Sequence, residues 1–163
     1  MIMTTNSTTT SYRLMIPGEE EKVSKLVRRV FMKFISPEYS AEGVDEYLRY
    51  ISPEALAQRS KTGHFVIVAE EESNSLIGML EIGNCDQISL LFVSASYQQR
   101  GVAKDLMNAG VEKCRSLHPG MTQLSVNASP NAVEIYEHLG FKVVEEEKIV
   151  NGIRFTPMVL YLT

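Results

Sequence analysis

Residues 90–104 constrain the chain more than any other stretch: Leu90-Leu91-Phe92-Val93-Ser94-Ala95-Ser96-Tyr97-Gln98-Gln99-Arg100-Gly101-Val102-Ala103-Lys104. The apolar run over residues 87–93 reads as a buried strand. A short polar loop follows, and a helical pattern begins at or near Gly101. That helix runs over residues 101–117, with an apolar stripe at Ala103, Leu106, Met107, Gly110, Cys114 and Leu117, and His118-Pro119-Gly120 ends it. A short strand at residues 123–127 comes next. Strand, helix and strand in that order form a β-α-β crossover, which sets two strands of one sheet parallel. The chain is therefore a mixed α/β domain.

The flanking segments supply the rest. Residues 12–16 read as a short strand closed by Pro17-Gly18. An amphipathic helix over residues 19–35 follows, with Val23, Leu26, Val27, Val30, Phe31 and Phe34 on one face and Glu19, Glu20 and Glu21 at the positive end of its dipole. Ser36-Pro37 stops it. Ser40 caps a second helix over residues 41–51, and Ser52-Pro53 opens a third that ends near Thr62-Gly63. The period then changes. Residues 64–70 and 76–82 form a hairpin about Glu72-Ser73-Asn74-Ser75, and Gly83-Asn84 turns the chain into the 87–93 strand. Ser129-Pro130 starts a helix that runs to Leu139, with Gly140 as its stop. Residues 142–148 and 154–162 form a closing hairpin, turned at Asn151-Gly152. The predicted order is β-α-α-α-β-β-β-α-β-α-β-β, a mixed, mostly antiparallel sheet.

Composition narrows the function. At 163 residues the chain fits one domain, residues 12–163, large enough to fold without a disulfide or metal. The Thr/Ser/Asn tract over residues 1–11 reads as a disordered tail and lacks the features of a secretory signal. With no apolar run near the length of a membrane span, the expected compartment is the cytoplasm. Cys85 and Cys114 form no C-x-x-C pair, and His64, His118 and His138 do not cluster, so no metal site is expected. The formal net charge of −4 argues against a nucleic-acid-binding face and suits a cationic substrate.

Chemistry concentrates in the loop. A strand end feeding a helix start points several backbone N–H groups outward at the positive end of a helix dipole, which suits a phosphate. Gly101 admits close approach, Ala103 is small, and Arg100 and Lys104 add positive charge. Neither a Walker loop nor a G-x-G-x-x-G fingerprint is present.

Gln98-Gln99-Arg100-Gly101-Val102-Ala103 resembles the central [R/Q]-x-x-G-x-[G/A] motif of the GNAT acetyltransferases. Downstream, Ala132-Val133-Glu134-Ile135-Tyr136-Glu137-His138-Leu139-Gly140-Phe141 resembles the family's A-x-x-x-Y-x-x-x-G-F motif. The resemblance implies a GNAT-like sheet with helices on both faces and a splayed pair of parallel central strands. It implies acetyl-CoA as cosubstrate and a primary amine as acceptor. Backbone amides of Gln99, Arg100, Gly101, Val102, Ala103 and Lys104 would hold the pyrophosphate, with Gln98 where the family often has arginine. Leu91, Phe92 and Val93 would bond the pantetheine, and an amide near Phe92 would polarise the thioester carbonyl. Ser129 stands where the family often has a cofactor-contacting asparagine. Asn131 is a substitute for that contact, leaving Ser129 a helix cap. Tyr136 would protonate the leaving thiolate, although the stripe Ala132, Ile135, Tyr136 and Leu139 also reads as core. Glu81 is the candidate base, against a reading as a solvated strand residue. Tyr39, Tyr47 and Tyr50 would either line the acceptor pocket or pack in the core. A homodimer through an exposed edge strand at residues 154–162 is a further expectation. A non-catalytic acyl-CoA-binding module is the second functional reading.

Overall fold

Apolar alternation along residues 64–93 builds the middle of the sheet, because a strand sends successive side chains to opposite faces. In β2 (His64–Glu71), Val66 and Val68 pack with one core and Ile67 and Ala69 with the other. The computed structural model describes residues 9–163. Its chain order is β1 (Thr10–Leu14), α1 (Glu20–Phe34), α2 (Ala41–Tyr50), α3 (Pro53–Ser60), β2, β3 (Leu76–Gly83), β4 (Gln87–Val93), α4 (Val102–Leu117), β5 (Gln123–Ala128), α5 (Val133–His138), β6 (Lys142–Val143), β7 (Lys148–Val150) and β8 (Ile153–Tyr161). The strands are arranged β1-β2-β3-β4-β5-β8-β6, with β7 also on β8. Among the described residues only β4 and β5 run parallel.

Helix α4 covers one face, where Leu106, Met107 and Cys114 pack with Leu80, Ile82 and Leu124. Helices α1 to α3 cover the other, where Val23, Val27, Phe31 and Leu56 pack with Met79, Leu90 and Phe92. Two caps match the sequence. Ser40 Oγ accepts from the Gly43 N–H at 3.1 Å, and Ser52 Oγ accepts from the Ala55 N–H at 3.1 Å.

Several elements differ from expectation. β1 starts at Thr10, so Thr10 and Ser11 belong to the sheet, while residues 1–8 of the expected tail lie outside the described residues. Ser129 does not cap α5. Its hydroxyl donates to Asn131 Oδ1 at 3.1 Å, and a 3-10 turn over Pro130–Ala132 precedes a shorter helix. The closing strand breaks into β6 and β7. Val144 N–H reaches the Pro157 carbonyl, but proline has no N–H to return, and the acidic run Glu145-Glu146-Glu147 leaves the sheet for solvent. β8 is not an edge strand: β5 flanks one side, and β6 and β7 the other. The expected dimer edge is thus already occupied within the chain.

The β7–β8 turn touches a distant helix. Asn151 (φ 52°) and Gly152 (φ 79°) give the left-handed pair expected of Asn-Gly. The turn rests on the start of α2, where a Cβ on Gly152 would collide with Ser40 Oγ and sit 2.9 Å from the Gly43 nitrogen. Gly152→Ala combines a left-handed strain with loss of the Ser40 cap. The expected cost is about 2 kcal/mol, read as a thermal midpoint lower by about 6 °C. An unchanged midpoint would show that the turn does not seat on α2.

Candidate active site

β4 carries one residue more than β3 opposite it. Leu90 pairs with Glu81 and Ile88 with Ile82, leaving Ser89 as a bulge. A bulge bends its strand, and here the bend carries β4 away from β5. The two pair only at Gln87 with Ser125 and Ile88 with Val126. Past Ile88 the parallel strands part, so the backbone polar groups on that side of residues 89–93 lack a neighbouring strand.

A cavity of about 450 Å³ occupies the gap. Ser89, Leu91 and Phe92 line it from β4, and Val126 and Asn127 from β5. Ser129, Ala132 and Tyr136 close one end. Ile35, Tyr39, Glu46, Tyr47 and Tyr50 form the wall from the α1–α2 side, and Val150, Asn151, Ile153 and Phe155 form a roof from the β7–β8 hairpin.

Tyr136 is 6% exposed, its ring edge-on to Phe141 at 5.2 Å between centroids. Among the described residues its hydroxyl has no hydrogen-bond partner, yet no fully buried side-chain oxygen lacks one. The hydroxyl therefore keeps accessible surface, and the cavity is where that surface lies. Burial pushes the phenol above its ordinary range, so it stays protonated through neutral and mildly alkaline pH. Tyr136 packs in the core, as its place in the helical stripe suggests, and its tip is free.

The loop expected to bind phosphate is built as a turned-out segment. Gln99 (φ 63°) and Gly101 (φ 84°) both adopt left-handed backbone. Gly101 precedes α4 with no side-chain cap; residues 98–101 form a turn, and among the described residues no N–H of residues 99–104 donates a well-formed hydrogen bond. Residues 98–101 and Lys104 are exposed. Val102 instead turns its side chain into the core at 5% exposure, leaving only its amide for a ligand. Ala103 is half-buried. Arg100 lies over the Tyr97 ring at 5.3 Å. Gln98 differs from expectation: its Nε2 donates to the Val93 carbonyl at 3.0 Å, so the side chain pins the loop to the end of β4. Val93 is 8% exposed and packs with the α4-side core. The loop does not line the cavity, and β4 joins the two.

Asn131 also proves committed elsewhere, since its amide donates to the Phe34 carbonyl at the end of α1. Glu81 is neither solvated nor free. It is 0% exposed, and its carboxylate accepts from Arg59 Nε and Nη2, both at 2.9 Å, with His64 Nδ1 at 3.2 Å. It does not line the cavity, so the expected role as base is withdrawn. Arg59 in turn donates to the Tyr50 carbonyl at 2.7 Å and lies 3.8 Å over the Tyr50 ring.

The aromatic wall is a packed set. Tyr47 stacks on Phe31 at 4.4 Å and meets Tyr39 edge-on at 6.0 Å, and burial pushes the Tyr39 phenol up to about 12. Sequence reasoning reached the three tyrosines but missed Glu46 and the hairpin roof. No local pattern marks a turn that folds back over a distant helix. No group of His, Cys, Asp or Glu among the described residues is placed to hold a metal. No helix among them is long and apolar enough to cross a membrane.

Comparison with known proteins agrees with this geometry. The acetyltransferase (GNAT) domain family matches residues 35–162. An uncharacterized N-acetyltransferase, YafP of Escherichia coli (strain K12), is 23% identical over 133 residues, which is 82% of this chain and 81% of that protein. A crystal structure of a GCN5-related N-acetyltransferase from Rhodopseudomonas palustris superposes with a TM-score of 0.75 at 22% identity, covering 99% of both chains. The PaiA N-acetyltransferase of Thermoplasma acidophilum, crystallised with coenzyme A, superposes with a TM-score of 0.76 at 17% identity, covering 94% of this chain and 99% of that one. At these identities the structural likeness speaks to the fold.

Proposed function

The chain belongs to the GNAT acetyltransferase family, and from that premise we propose that it moves an acetyl group from acetyl-CoA directly to a primary amine, with Tyr136 as general acid. The observation that carries the reading is the unpartnered Tyr136 hydroxyl facing a cavity between two parted parallel strands. The N–H groups of residues 99–104, which lack well-formed partners among the described residues and lie at the positive end of the 16-residue helix α4, suit the pyrophosphate of CoA. From there the pantetheine lies along residues 91–93, bonding the open side of β4 as an added strand would. The acyl group then reaches the cavity, where a backbone N–H near Phe92 polarises its carbonyl.

In the reaction the lone pair of a neutral amine attacks the thioester carbon. The C–N bond forms, the C–S bond breaks, and the departing thiolate takes the Tyr136 proton. The nitrogen loses its extra proton to solvent, and Tyr136 is reprotonated from solvent. Ser129 shapes the cavity end rather than reacts, Asn131 ties the turn before α5 to the end of α1, and Gln98 positions the loop. The reading carries with it the cytoplasmic setting expected from the sequence.

A thiol-release assay with acetyl-CoA across amines, amino acids, polyamines and peptides tests this. Release that depends on an amine supports the proposal. Acetyl-CoA binding without release for any amine would leave a non-catalytic binding module. Arg100→Glu checks the phosphate site by setting a carboxylate beside a diphosphate. It should raise KM for acetyl-CoA about tenfold at low ionic strength and less at high salt, with kcat little changed. A salt-independent KM would place the diphosphate elsewhere.

A further inference from the structure

Glu46 is the one charged side chain among the described residues that line the cavity, and no lysine, arginine or histidine accompanies it. It sits on α2 four residues before Tyr50, so the two share one helix face. Tyr47 lies beside it and Tyr39 faces Tyr47 edge-on. A carboxylate set among tyrosine rings is the chemistry that holds an ammonium ion, through charge and through the negative ring faces. One ring already takes a cation, since Arg59 covers a face of Tyr50. Among the described residues Glu46 is held by Arg49 alone, at 3.0 Å, in a pair exposed on both sides (71% for Arg49 and 45% for Glu46). Such a pair is weak and yields readily to a competing ammonium. An acceptor bearing a carboxylate would find no cation in this chamber and would meet Glu46 instead.

Resting on the acyl-transfer reading, we infer that Glu46 with Tyr39, Tyr47 and Tyr50 forms a subsite for a second, unreacting ammonium, so that the preferred acceptor is an aliphatic diamine or longer polyamine. One nitrogen is acetylated near Tyr136 while the other stays charged against the α2 wall. At neutral pH an alkylamine keeps its proton, so the second nitrogen presents a full positive charge. The protein's net charge of −4 favours the approach of such an acceptor.

Calorimetric binding separates this claim from catalysis. Putrescine, n-butylamine and γ-aminobutyrate, then cadaverine with its matching monoamine and amino acid, are titrated into the protein with and without saturating CoA. The diamines should bind about tenfold more tightly than the monoamines, and the amino acids more weakly than either. Glu46→Gln should erase the diamine advantage. Arg49→Ala, which frees Glu46, should tighten diamine binding about twofold. Both side chains are exposed, and a thermal melt confirms folding. Equal affinity for diamine and monoamine, or an advantage that survives Glu46→Gln, overturns the subsite. The CoA titration reports on the parent reading by itself. If CoA fails to bind, that reading falls; if CoA binds and no diamine preference appears, only the subsite falls.

Discussion

Tyr136→Phe will slow acetyl transfer by about a hundredfold or more, while acetyl-CoA still binds within about twofold of wild type. Phenylalanine fills the same space and keeps the edge contact with Phe141, and the hydroxyl removed has no partner among the described residues. The loss therefore falls on kcat rather than on folding or ground-state binding. Steady-state kinetics with a saturating amine reads it directly. An undiminished kcat would remove Tyr136 from the reaction.

The same phenol gives a pH signature. Burial raises it above 10 in the folded protein, so the folded state holds its proton where the unfolded chain has released it. The resulting stability is fully present below pH 10 and fades as pH climbs above that value. Wild type should thus lose stability more steeply than Tyr136→Phe in alkaline melts. No alkaline limb of kcat should trace to Tyr136 below pH 10.

Arg59→Ala will destabilise the protein by about 3–5 kcal/mol, because it strands the Glu81 carboxylate in the core. Glu81 is 0% exposed, and Arg59 supplies both strong donors, leaving His64 alone to answer it. For a chain of this size the thermal midpoint should fall by about 10 °C. Replacing both partners by methionine removes the stranded charge and should recover most of that loss. If the single variant melts like wild type, the ion pair is not a buried link between α3 and the sheet. Denaturant melts of the three proteins decide the matter. The single variant also frees Tyr50 from its guanidinium cover, which couples this core pair to the cavity wall.

Much of the architecture is legible in the sequence because its signals are local. Ser40 and Ser52 cap their helices as expected, the 87–93 strand falls where the apolar run lies, and Asn151-Gly152 makes the expected turn. Gln99, Gly101 and the residues around them form the open loop that the strand-to-helix pattern suggests. What the sequence hides depends on distant partners. Glu81 reads as a polar strand position, and only packing reveals Arg59, 22 residues away, folded against it. The Pro157 break in the last hairpin has a local cause, but apolar alternation masks the missing donor. Glu46 looks like any helical glutamate, and its place in the cavity comes from how α2 lies against β4 and the far hairpin.

The seating of the Asn151-Gly152 turn on α2 has a consequence for biosynthesis. Two segments about a hundred residues apart enclose the cavity, one near residues 35–50 and one near 150–155, and β8 also fills an interior place in the sheet. A growing polypeptide that has not yet passed β8 has the open loop before α4 in hand but neither a finished sheet nor a covered cavity. Shortened forms ending before residue 153 are therefore expected to lack acyl transfer however well their first half is ordered.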